Sequence, residues 1–149
     1  MPNGGGPRYD RLAKGVDIFN GLSPEDVEKI FIHGITMNVQ KGQPVFEKGT
    51  VGNQMFVVLG GSFGVFDGVK QLATLRTGDT FGEMSLLLSE PRSATVKALE
   101  LGHIFVLDER VFQKLLTKRV AVQMLMNISR MLARRLNAAN RTIREMEGR

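Results

Sequence analysis

The stretch Phe81 to Val96, F-G-E-M-S-L-L-L-S-E-P-R-S-A-T-V, decides how the rest of the chain reads. A glycine, Gly82, precedes an acid, Glu83, and a short apolar run follows with Met84, Leu86, Leu87 and Leu88. Ser89 and Glu90 break that run. Pro91, Arg92 and Ser93 turn the chain, and Ala94, Thr95 and Val96 open a β-branched segment. Glu83 to Leu88 contains good helix formers and suits about a turn and a half of helix. Pro91 has no backbone donor and restricts the residue before it, so the helix is predicted to stop short of it.

Such a segment suits a small anion. Gly82 lets backbone approach a ligand where a Cβ would obstruct it. The first amides of the helix that follows have no partner within it and sit at the positive end of its dipole. Arg92, just past the proline corner, carries a planar fork that binds two phosphate oxygens together, and Ser93 adds a hydroxyl donor. Glu83 suits a sugar hydroxyl better than a phosphate. An acid and an arginine nine positions apart therefore suggest a ligand with both ribose and phosphate. The plain alternative, a solvated Glu83 and an exposed Arg92, describes most residues of these types; the whole pattern argues against it.

The same residues resemble the phosphate-binding cassette of the cyclic nucleotide-binding domain family, with agreement in the F-G-E start, the P-R-S-A-T-V ending and the spacing between them. The resemblance implies that Glu83 holds the ribose 2′-hydroxyl, that Arg92 pairs with the cyclic phosphate, and that Ser93 contacts the phosphate, a threonine there favouring guanine. Phe81, Gly82, Met84, Ser85 and Ala94 belong to the same implied site. The implied fold is mainly β with flanking helices: an eight-stranded antiparallel jelly roll interrupted by the cassette helix, with helices before it and a long helix after it. The similarity runs on into that helix, where Ala133-Arg134-Arg135-Leu136 resembles the catabolite-activator branch of the family. Arg135 is implied to approach the phosphate from the helix side. Ala139 and Asn140 stand at the branch's base-reading positions. Asn140 offers a donor and an acceptor to an adenine edge, and Ala139 offers neither.

A chain of 149 residues implies one domain with a real core. At 42% hydrophobic and 23% charged, the composition is that of an ordinary globular protein. With no cysteine, disulfides, thiol catalysis and thiolate metal sites are excluded. No apolar run approaches the ~20 residues of a membrane helix, and Met1 to Lys14 lacks a signal-peptide core, so the cytoplasm is expected and a membrane partner is not. No Gly-rich loop ends in Gly-Lys-Ser or Gly-Lys-Thr, and His33 and His103 lie in different elements. No catalytic residue and no metal ligand is therefore expected: the chain reads as a binding module, not an enzyme. The chain stops with its long helix and no DNA-reading element follows, so nucleic acid is not an expected partner.

Charge is uneven. Lys118, Arg119, Arg130, Arg134, Arg135, Arg141, Arg144 and Arg149 face only Glu145 and Glu147 in the tail, which carries +6 of a net +5 and leaves −1 for the remainder. A solvated face is the plain reading of such a run, with an acidic partner next.

In chain order, residues 1–18 read as a lead, disordered from Met1 to Gly6 and loosely helical from Asp10, and residues 19–149 as the binding domain. Ser23 is a predicted N-cap with Pro24 at the first helical position and Asp26 three past the cap; Val27, Ile30 and Phe31 share a face, and Gly34 is the predicted C-cap. From Ile35 to Leu107 the pattern turns to strands at Ile35–Val39, Val45–Phe46, Met55–Leu59, Ser62–Phe66, Leu72–Leu75, Ala94–Leu99 and His103–Leu107, with turns at Gly42, Gly49, Gly52, Gly61, Asp67-Gly68 and Gly78. Short strands with close glycine turns favour an antiparallel sandwich or roll.

Asp108 caps a helix whose inner face holds Val111, Phe112, Leu115 and Leu116. In the final helix, over 119–147, Val122, Leu125, Ser129, Leu132, Leu136, Ala139, Ile143 and Met146 step at the spacing of a two-helix coiled coil, so a homodimer is expected. Met124, Ile128 and Met131 form a second stripe suited to the roll. The functional expectation is a module that binds a cyclic mononucleotide, cAMP ahead of cGMP, with no other cofactor, and signals to an unnamed effector through its C-terminal helix, hinged at Glu109 to Thr117. The alternative is a ligand-free scaffold of the same fold that docks an acidic partner on the basic helix.

Overall fold

The computed structural model describes residues 7–115 and 119–148. A first helix, α1 (Pro7–Gly15), leads through a 3-10 turn (Asp17–Phe19) to α2 (Pro24–His33). Eight strands follow: β1 (Ile35–Val39), β2 (Pro44–Phe46), β3 (Gln54–Gly60), β4 (Phe63–Asp67), β5 (Lys70–Leu75), β6 (Thr80–Phe81), β7 (Thr95–Ala98) and β8 (Gly102–Asp108). The cassette helix α3 (Glu83–Leu88) interrupts them between β6 and β7, and α4 (Glu109–Leu115) and α5 (Arg119–Glu147) close the chain. The strands form two four-stranded antiparallel sheets, ordered β1-β8-β3-β6 and β2-β7-β4-β5. This is the mainly β roll with flanking helices that the cassette resemblance implied.

Alternation along the central strands explains why Met55 to Leu59 is apolar throughout. Phe56 and Val58 of β3, with Ile104 and Val106 of β8, join Val39, Phe63, Phe81, Val96 and Ala98 between the sheets. Met55 and Val57, with Phe105 and Leu107, point the other way, into a second core with Ile18, Phe19, Val27, Ile30, Phe112, Met124 and Ile128. A strand buried on both faces has no polar period to show.

The helix over Pro24–His33 begins as its sequence predicts. The Asp26 amide donates to Ser23 Oγ at 3.2 Å and the Ser23 amide to Asp26 Oδ2 at 3.4 Å, a reciprocal capping box. At its other end the expectation fails: Gly34 is extended (φ −106°, ψ −174°), not a left-handed cap. Glycine is required there for space, because a Cβ would lie 2.2 Å from Phe105 Cε1. The helix expected from Asp10 to Phe19 is likewise divided, since Val16 is extended (φ −117°, ψ 118°) and separates α1 from the 3-10 turn. β6 is only two residues long, too short to show a period in sequence. The expected disordered lead at Met1 to Gly6, and Leu116 and Thr117, lie outside the described residues.

Asp108 caps α4 as predicted, its Oδ1 accepting from the Val111 amide at 2.9 Å. The last helix has 29 residues and is about 43 Å long. Its inner stripe, Met124, Ile128 and Met131, is buried in the helical core together with Val120 and Ala121. Asn127, 3% exposed, sits in that stripe and donates to the carbonyls of Ile18 and Asn20, each at 2.8 Å. The Arg119 guanidinium meets Asp26 Oδ2 at 2.9 Å, tying the start of α5 to the start of α2. Beyond Leu132 every described residue of α5 is exposed. The expected coiled-coil seam is divided: Leu125 and Leu132 are half-buried against the helical core, while Val122, Leu136, Ile143 and Met146 are all more than half exposed.

Candidate functional site

The site forms where α3 leaves the roll. Gly82 caps α3 in the left-handed region (φ 79°), which glycine adopts without a steric cost. At the other end Ser89 turns left-handed (φ 54°) and its amide closes onto Ser85 O at 3.1 Å. The Ser85 hydroxyl donates to Glu90 O at 3.3 Å, holding the return loop. Pro91 bridges to Val51, and the Arg92 backbone is gripped twice: its amide donates to Thr50 O and its carbonyl accepts from the Gly49 amide, each at 2.8 Å.

This grip aims the Arg92 side chain inward. It is 5% exposed. Nη1 donates to Gly82 O at 3.2 Å and Nη2 to Gln54 O at 2.9 Å, while Cζ lies 4.2 Å from the Phe46 ring centroid. Nε is buried without a partner. Burial pulls the guanidinium pKa down, and the Glu83 charge offsets part of that effect. Glu83 is 2% exposed and pairs with Arg135 of α5, whose Nη2 also donates to Thr80 O at 3.2 Å. The Thr80 hydroxyl is a second buried polar atom without a partner.

Together these groups line a cavity of about 430 Å³, within the range of small-molecule sites. Nine of the sequence-predicted residues line it: Phe81, Gly82, Glu83, Met84, Ser85, Arg92, Ser93, Ala94 and Arg135. Asn140 does not; it is exposed on α5, about 7 Å further along the axis than Arg135. Sequence reasoning missed Phe46, which lies under the guanidinium, and Thr80. It also missed the use of Gly52, read only as a turn: a Cβ there would lie 2.6 Å from Arg92 Nη2. A glycine ~40 residues from the arginine it accommodates carries no local signal.

A cavity in a β roll lined by a buried arginine and a buried carboxylate is chemically suited to a small ligand with anionic and hydroxyl-bearing parts. The chain belongs to the cyclic nucleotide-binding domain family, which residues 36–119 match. It is 32% identical over 132 residues to the cyclic AMP receptor protein of Thermus thermophilus, covering 85% of this chain and 60% of that one. It is 32% identical over 97 residues to human cGMP-dependent protein kinase 2, covering 65% of this chain and 13% of the kinase. The crystal structure of Thermus thermophilus catabolite activator protein superposes with a TM-score of 0.80 at 29% identity, over 88% of this chain and 63% of that one. The chain thus spans less than two thirds of the length of each relative. Among the described residues no helix is long and apolar enough to cross a membrane.

Proposed function

We propose that this chain is a cytoplasmic regulatory module that binds a cyclic mononucleotide, cAMP ahead of cGMP, and performs no catalysis. The observation that carries the reading is Arg92: a guanidinium 5% exposed, with an unpartnered Nε, at a cavity it shares with buried Glu83. A buried charge with a spare donor is satisfied by an anion, and a cyclic phosphate fills that role while its ribose 2′-hydroxyl donates to Glu83. Phe46, Val65, Leu75 and Val96 supply the apolar wall beside it. Both nucleotides appear among the names of the relatives, so the choice between them rests on this chain's own residues. Ser93, rather than a threonine, supports adenine.

Signalling follows from the same contacts. Glu83 is held by Arg135 of α5, so a ribose hydroxyl that takes the carboxylate competes with the link between cassette and helix. Occupancy then favours one position of α5 over another, the differential contact that coupling requires. The exposed part of the seam offers the surface for a homodimer; sedimentation of the wild type against a Leu136→Glu, Ile143→Glu variant tests it, with a dimer becoming a monomer as the expected result.

Thermal melting with cAMP, cGMP and linear 5′-AMP tests the binding. A ligand at about 100 times its Kd stabilises by ~2.7 kcal/mol, or about 5–11 °C at this chain length. cAMP is expected to give the largest shift and 5′-AMP the smallest. No shift with any of the three would return the roll to a ligand-free scaffold.

A further inference from the structure

The last helix has three sides: one packs on the body and one carries the coiled-coil seam. On the third stand Arg130, Arg134, Arg141 and Arg144, with Asn137 between them. At ~100° per residue they fall within about 80° of arc, turned well away from the seam, and span ~21 Å of axis. All four are exposed. Among the described residues Arg130 donates to Asn127 Oδ1 at 3.4 Å and Arg134 meets Asp17 at a loose 3.9 Å. Arg141 and Arg144 have no ion-pair partner among the described residues. The two acids of α5 border the row at its C-terminal end, Glu145 four residues past Arg141 and Glu147 three past Arg144, but no ion pair joins either to the row among the described residues.

We propose that this row docks a carboxylate-rich segment of a partner protein. The residues are all arginine, whose rigid fork matches a carboxylate in two parallel hydrogen bonds. Their steps of four, three, four and three, counted through Asn137, keep them in one line, as a straight acidic strand or helix would require. The charge is complementary to such a segment and to little else within the chain, whose net charge outside the tail is slightly negative. Nucleic acid is the weaker match, because four cations fall short of the ~6–10 phosphate contacts of a duplex binder. A lipid surface is weaker still, because the apolar residues beside the row, Leu136, Ile143 and Met146, belong to the seam that a second copy is proposed to cover. A dimer through the seam leaves the row free on both copies, and the docking does not depend on nucleotide binding.

The test uses the full chain and a fluorescein-labelled poly-L-glutamate of about 20 residues, ~30 Å as a helix, followed by anisotropy. Binding is expected at low salt, weakening steeply toward physiological ionic strength. Arg141→Glu with Arg144→Glu is expected to weaken it at least ~10-fold, and Arg141→Gln with Arg144→Gln by less. Neither pair is expected to change the melting temperature or the cAMP-induced shift, since both positions project from the body. Absence of binding to the acidic probe, or binding unaffected by the reversals, overturns the proposal. So does tighter arginine-dependent binding to a ~20-base-pair duplex or to phosphatidylserine vesicles, which would make this a phosphate-reading face.

Discussion

Replacing Arg92 with leucine separates what this side chain does for the fold from what it does for a ligand. In the fold, the guanidinium satisfies two carbonyls, Gly82 O and Gln54 O, and leaving buried acceptors without donors costs ~1–3 kcal/mol each. Against this, the Arg92→Leu change would relieve the several kcal/mol of desolvation that a buried cation carries, and the new branched end would pack on Phe46 and Phe56. The two effects offset, and melting without nucleotide is expected to move by only a few degrees. Binding has no such compensation. Charge-assisted bonds in a closed site are worth ~2–5 kcal/mol, so cAMP affinity is expected to fall about 30- to 4,000-fold. Titration calorimetry reads this directly, with the melting curve as the folding control. Arg92→Lys, which keeps the charge but not the fork, is expected to lie between. A leucine variant that melts like the wild type and binds cAMP within about threefold of it would refute the reasoning.

Three further outcomes follow from geometry beside Arg92 and elsewhere in the fold. Gly52→Ala places a Cβ 2.6 Å from Arg92 Nη2, so the guanidinium must give up Gln54 O; cAMP affinity by calorimetry is expected to drop about tenfold while the fold persists. Asn127→Ala leaves the Ile18 and Asn20 carbonyls without their 2.8 Å donor, a loss of ~2–6 kcal/mol that circular dichroism should register as a fall of about 4–24 °C. For Asp26, burial raises the carboxyl pKa, but Arg119 and Ser23 outweigh it and hold the pKa below its usual 3.8. Its contribution is therefore fully present above that value and is lost as pH falls toward the depressed pKa. Urea melts across the acid range are expected to show a shallower pH dependence in Asp26→Asn than in the wild type.

What could be read ahead of the structure was what neighbours in sequence determine. Gly82, Glu83, Pro91 and Arg92 set their own turn chemistry over a dozen residues, and the cavity is lined by nearly every residue that the cassette nominated. Ser23 and Asp26 build a cap from four consecutive positions. The period of Met124, Ile128 and Met131 similarly marked the face of α5 that packs on the roll. What escaped depends on partners far along the chain. Gly34 was read as a helix stop when its reason is the ring of Phe105, and Gly52 as a turn when it makes room for Arg92. Asn127 is a polar residue in an apolar stripe, unremarkable until the Ile18 and Asn20 carbonyls arrive beside it. Thr80 lies on a strand too short to have a period at all. Asn140 is nominated by resemblance and by its amide donor and acceptor, and a helix that runs past the cavity leaves it in the open.

The pinning of α5 by Asn127 has a mechanical outcome. The helix is packed through Met131 and tied to the cassette by Arg135, and the part beyond Arg135, exposed throughout, projects about 18 Å. A tilt of only ~10° at Arg135 would carry the far tip through about 3 Å, over half the rise of one helical turn. On the proposed reading, breaking or making the Arg135–Glu83 pair would shift a surface that lies well away from the cavity.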